Sequence, residues 1–349
     1  MADLKVIQVP PTNYISIGLF LGYLSIVIGL GFTCFNIIYV RYLARQKKND
    51  WATPQRPAHF ALFLFLSALS IGTTWFYMIT YFVGSYNNWA NSLEGVAYSQ
   101  ISTSTITRMD LWLQKTLLFQ EAWETAVENP TRFWWSGQIF GWTIGWSLFV
   151  GIVGRRYRIP YLWVYMLLAQ LVSVSFAANL FFVAVVVSQR PNEKDITFIW
   201  YPKLSYELVP VAFSLLDTVA VPIFAHKKEF MPILLAAHLM VFIPCILGPK
   251  GSVSNITKQQ GEKTTRRYAG FIQWVAAASI ILQAYLTALM MRDIGTEVSY
   301  TELVRRLLVA IYDHPACSSV SWDVINCTLS AIAWVVVHGF NVDRMLGAH

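Results

Sequence analysis

Apolar positions fall in long unbroken runs, separated by short polar stretches, along almost the whole chain. Eight runs are long enough to cross a hydrocarbon core, which takes about 20 residues at roughly 1.5 Å rise each. They are Ile15–Val40, His59–Val83, Phe133–Val153, Tyr161–Val187, Leu204–Phe224, Met231–Leu247, Phe271–Met291 and Val324–Phe340. The sixth is short, and Pro232 and Pro244 bracket it, which predicts a tilted or broken helix. In the longest connection, positions 108–123 carry mixed helical periodicity and read as one interfacial helix ending before Pro130. A second such segment, Tyr300–Tyr312, carries Glu302, Arg305 and Arg306. No repeat or low-complexity tract stands out. The pattern predicts an all-α polytopic bundle of about eight spans, one domain over residues 1–349.

Composition agrees: 56% of residues are hydrophobic and 13% charged, about half the charge of an average soluble domain. Mean hydropathy is +0.47. The N-terminus lacks a basic stretch and a small-residue cleavage site, so the first run reads as a retained anchor. Cys34, Cys245, Cys317 and Cys327 show no paired spacing, which argues against a disulfide framework.

Arg41, Arg45, Lys47, Lys48 and Arg56 in the first loop, and Arg155, Arg156 and Arg158 in the third, place both loops in the cytosol. With eight spans, Lys250–Arg267 then falls outside despite its five basic residues, and Asn255-Ile256-Thr257 would suit a lumenal glycosylation site. The net charge of +7 suits loops on anionic leaflets and points to no nucleic acid.

Few polar groups interrupt the runs, and an ionisable one at mid-bilayer costs at least about 2.5 kcal/mol. Asp217 is such a group. It reads either as a hydrogen-bonding partner of a neighbouring helix or as a functional acid, since desolvation favours the protonated form and a protonated acid donates. Glu207, ten residues earlier on the same helix, reads as a residue near the surface. Asp323, in Ser321-Trp322-Asp323, fits helix-cap chemistry or an acid at a cavity mouth, with Asn326 and Cys327 on its face. Trp135, Gln138, Trp142 and Trp146 recur at spacings of three and four and either form an interfacial belt or line a pocket.

The six histidines form no ligand spacing, so no metal site is expected, and His238 and His338 read as hydrogen-bonded core residues. No run holds a lysine, which excludes a retinal Schiff base, and no Asp-rich pair suits magnesium and a diphosphate. Gly18, Gly22, Gly29 and Gly31 read as helix-packing positions.

Three stretches carry a resemblance: positions 130–138 (Pro130 to Gln138), 217–222 (Asp217 to Pro222) and 314–324 (His314 to Val324). They resemble fungal integral-membrane terpene cyclases of meroterpenoid pathways, such as the one forming the ring of ascofuranone. The resemblance implies cofactor-free, acid-initiated cyclisation of a prenyl chain, commonly of its terminal epoxide, on an aromatic or polyketide-derived head group. It further implies an endoplasmic reticulum membrane, a lipophilic prenylated substrate and association with other pathway enzymes. Asp217, Asp323 and Glu121 are the catalytic candidates, and Arg132, Trp135, Gln138, Trp142 and Trp322 the substrate-binding ones. A proton-coupled exporter of a lipophilic metabolite, using Asp217, and a non-catalytic scaffold are the rival readings.

Overall fold

The computed structural model describes residues 14–47, 56–93, 95–97, 104–188, 204–247, 258–295, 298–341 and 345. Among these every regular element is helical: α1 (Ile15–Lys47), α2 (Arg56–Ala90), α3 (Thr105–Lys115), α4 (Leu118–Val127), α5 (Pro130–Arg156), α6 (Leu162–Leu171), α7 (Val174–Val187) and α8 (Ser205–Ala220). A 3₁₀ turn, Val221–Phe224, extends α8, and α9 (Phe230–Met240), α10 (Ile243–Ile246), α11 (Lys258–Ile294), α12 (Tyr300–Tyr312) and α13 (Pro315–Val337) follow. The chain is an all-α polytopic bundle. Six of its helices are long and apolar enough to cross a membrane: α1, α2, α5, α8 with its 3₁₀ turn, α11 and α13.

The fourth apolar run does not cross. It breaks at Val172 and Ser173 into α6 and α7. The Arg41 guanidinium of α1 donates to the carbonyls of Tyr157 (3.2 Å) and Arg158, which precede α6. It also donates to Ser188 Oγ (2.6 Å), which follows α7. Both ends of the pair therefore lie at one end of the bundle, and α6 and α7 form a re-entrant hairpin. Ten residues of α6 reach about 15 Å, half a hydrocarbon core. Arg45 closes the same end, donating to the carbonyls of Val186 and Ser188.

The hairpin changes the topology after it. Glu207 at the start of α8 pairs with Arg155 at the end of α5 (3.4 Å), and Arg155 also donates to Pro244 O (2.7 Å) beside α10. α8 thus leaves the basic end, and the shorter apolar stretch Phe230–Ile246, α9 with α10, returns toward it. Trp134, near the far end of α5, donates to Thr287 Oγ1 of α11 (3.1 Å), so α11 starts toward the basic end. The start of α11 at Lys258 therefore lies at the same end as Arg41, Arg45 and Arg155, unlike the arrangement that eight spans create. Asn255-Ile256-Thr257 itself lies outside the described residues, as do residues 1–13 and Lys48.

Other expectations shift as well. The interfacial helix is two, α3 and α4, because Glu121 Oε1 accepts the Leu117 N–H (2.8 Å) and starts a new helix there. The last span begins at Pro315, nine residues early, with His314 Nδ1 accepting from the Ala316 N–H (3.3 Å). Burial, and Arg132 after it, push the His314 pKa down, which suits the neutral ring this cap needs. Tyr300–Tyr312 forms as expected, and Arg305 and Arg306 hold the Glu302 carboxyl at about 2. Glu207 is fully buried in the first turn of α8, at the basic end, where it pairs with the half-buried Arg155. The glycines of α1 make no close contact: a Cβ on Gly18, Gly22, Gly29 or Gly31 meets nothing within 4 Å. The close approach is at Gly151, where a Cβ would stand 2.7 Å from the Pro244 carbonyl oxygen. All four cysteines are buried and free.

A polar ladder fastens α7 between α2 and α13. Asn179 Nδ2 donates to Ser70 Oγ (3.2 Å) and Ser330 Oγ (2.8 Å), and Asn326 Nδ2 to Thr73 Oγ1 (2.8 Å). Below it Phe182 stacks on Trp334 at 4.4 Å, with Phe63 against both. Glycosylation reporters inserted at 48–55, 189–203 and 248–257 will all report one face of the membrane. A reporter at 248–257 glycosylated when one at 48–55 is not would contradict the hairpin.

Candidate functional site

Breaking a helix at membrane depth exposes carbonyls at the end of the first half and N–H groups at the start of the second. Lipid offers no hydrogen bonds, so the protein must supply them. Tyr23 of α1 donates its hydroxyl to Leu171 O at 2.7 Å. Asp323 of α13 takes the other side. Its Oδ2 accepts the Val174 N–H (2.8 Å), and its Oδ1 accepts the Ser175 N–H (2.8 Å) and the Ser173 hydroxyl (2.9 Å). The Cys327 thiol lies 3.9 Å from Oδ1. Ser173 Oγ in turn accepts the Phe176 N–H as the N-cap of α7 (3.1 Å). Every one of these partners donates, and the positive end of α7 points at the carboxyl, which is the environment of an ionised carboxylate.

The hairpin tip forms one wall of a cavity of about 560 Å³, within the size range of small-molecule sites. Phe119, Ala122 and Trp123 of α4 face it from the non-basic end. Phe140, Thr143 and Ile144 of α5, with Leu234, His238 and Phe242 of α9 and its continuation, supply the side walls. The ionisable lining groups are Tyr23, His238 and Asp323. The lining hydroxyls are mostly committed to backbone: Thr143 to Ile139 O, Thr218 to Ser214 O and Ser319 to Thr74 O. The chamber is therefore apolar and aromatic, with the Asp323 carboxyl held at the tip.

Of the residues singled out in the sequence, Asp323 reaches this cavity. Asp217 is buried on α8 just behind the wall that Ser214 and Thr218 form, and its Oδ2 has no hydrogen-bond partner among the described residues. Glu121 is exposed and occupied with the Leu117 cap. Arg132 is held by Glu128 and by Asp313 (2.5 Å), tying α5 to the start of α13. Trp135 donates to Leu307 O (3.0 Å), which docks α12, and Gln138 donates to Trp134 O (2.9 Å). Trp142 packs half-buried against the main core, and Trp322 lies outside the cavity lining. Tyr23, Ser173 and Trp123 were missed, whereas His238, expected as a hydrogen-bonded core residue, makes that hydrogen bond to Leu234 O and also lines the cavity. Ser173 and Ser175 in the middle of an apolar run were the available signal, since serine there starts a helix better than it continues one.

Asp323→Asn will therefore destabilise the fold as well as alter the site. Its amide NH₂ would face a backbone N–H, a loss of about 1–3 kcal/mol, against about 0.5–1.5 kcal/mol for Tyr23→Phe. Thermal unfolding in detergent tests this, and an Asn variant as stable as the parent would refute the cap. In comparison with known proteins the chain matches no family model, no curated protein and no solved structure.

Proposed function

We propose that this protein is a membrane-embedded terpene cyclase. It would close a prenyl chain, opened at its terminal epoxide, on a meroterpenoid within the endoplasmic reticulum membrane. The observation that carries the reading is the cavity: an apolar aromatic chamber at membrane depth with one carboxylate fixed at its wall. Opening an epoxide leaves positive charge on carbon, which water would quench. Here the apolar walls exclude water, and Trp123, Phe140, Phe119 and Phe242 offer π faces to a cation. Asp323 opposes that charge from a position fixed before reaction, the arrangement in which a charge lowers a barrier most. Cyclisation of this kind is an isomerisation and consumes no cofactor.

One feature favours the second reading, a carrier for a lipophilic metabolite: broken helices whose half-helix N-termini face a mid-membrane site recur in transporters. Isolated microsomes, which impose no gradient, separate the two. Wild-type membranes incubated with a farnesylated phenol bearing a terminal epoxide will yield a product of unchanged mass. Phe140→Leu will slow its formation by roughly tenfold, the scale of one desolvated cation–π contact. No isomer from wild-type membranes, with the same compound moving across them, would support the carrier instead.

A further inference from the structure

We propose that His238 carries the proton in this reaction; the inference rests on the cyclase reading above. His238 Nδ1 lies 2.6 Å from the carbonyl oxygen of Leu234, one turn earlier on α9. A carbonyl only accepts, so Nδ1 holds the hydrogen. Nε2 has no hydrogen-bond partner among the described residues, and the side chain lines the cavity. The ring stands edge-to-face to Trp123 (6.0 Å) and Phe140 (6.4 Å), which fixes the direction in which Nε2 points.

The other ionisable lining groups are already committed. Tyr23 donates its hydroxyl to Leu171 O, and both oxygens of Asp323 accept at the hairpin tip. Asp217 does not line the cavity. Among the described residues His238 is thus the ionisable lining group with a proton-transfer atom left open to a ligand, and the Asp323 carboxyl lines the same cavity.

The step balances on one residue. Starting as the imidazolium, with a hydrogen on each ring nitrogen, His238 gives its Nε2 proton to the epoxide oxygen as the C–O bond to the more substituted carbon breaks; on a substrate that carries a hydroxyl near the epoxide, that hydroxyl is the nucleophile. The substrate hydroxyl oxygen bonds to that carbon, and its O–H proton passes to Nε2. The epoxide oxygen ends as a new hydroxyl, His238 regains its starting state, and no oxidant or reductant is used. Nδ1–H stays on Leu234 O throughout, so the ring need not turn over between the two transfers.

The test uses full-length protein in microsomes and a farnesylated phenol whose prenyl chain carries both the terminal epoxide and a hydroxyl close to it. His238→Gln and His238→Ala will each lower kcat by on the order of 10²-fold or more with KM little changed, the usual worth of a positioned acid–base group. Imidazole added to His238→Ala, which leaves room for it, will restore part of the rate. If wild type cyclises and either variant stays within about threefold of it, the His238 assignment falls and the cyclase reading stands. Loss in His238→Ala that imidazole does not relieve also overturns the assignment. If wild type forms no isomer, the cyclase reading fails and this inference fails with it.

Discussion

The fold turns on a carboxylate that completes the hydrogen bonds of a chain reversal inside the membrane. Peptide groups cannot go unpaired in lipid, so a reversal at that depth requires partners on both sides of the break. Asp323 supplies three acceptances to Ser173, Val174 and Ser175, and Tyr23 supplies the donor to Leu171. Both come from long helices that flank the hairpin. The tip is therefore held between α1 and α13, and neither partner can be lost without leaving a buried peptide group unsatisfied.

Two consequences follow from that reversal. One concerns topology: a run that enters and leaves at the same end shifts every later segment across the membrane, and brings the start of α11 at Lys258 to the end where Arg41, Arg45 and Arg155 lie. The other concerns space. Because α6 stops after ten residues, the column above its tip is not filled by helix. The aromatic residues of α4 close that column from the other end, and what remains between them is the cavity. The interaction that allows the turn also sets a carboxyl group in the cavity wall, so the turn and the cavity share one residue. A substitution at Asp323 reads out both at once, and His238, which lines the cavity without closing the turn, separates them.

How much of this was legible in the sequence depended on what each signal measures. Hydropathy located the six long apolar helices, because burial in lipid is a property of each residue taken alone. It could not show that Tyr161–Val187 turns back, because a run of apolar residues has the same composition whether it crosses or returns. The serines at 173 and 175 carried that information, as helix starters where none was needed. Asp323 was readable as a helix cap, but the helix it caps is α7 and not its own, since His314 already starts α13. Trp135, Gln138 and Trp142 share a helix face by spacing, yet spacing does not say what lies opposite: Trp135 meets the α12 backbone, and the cavity opens on the face carrying Phe140 and Thr143. His238 was undervalued because an isolated histidine in an apolar helix has no sequence partner; Trp123, Phe140 and the cavity come to it from other helices.

The most direct test of the account is to locate the bound ligand. A photoreactive farnesyl phenol, cross-linked to the protein in native membranes and mapped by peptide mass spectrometry, should label the hairpin tip around Leu171–Val174, Phe119 or Trp123 of α4, and the α9 residues near His238. Labelling confined to the lipid-facing surfaces of α1 and α11, with none at the tip or on α4, would contradict it.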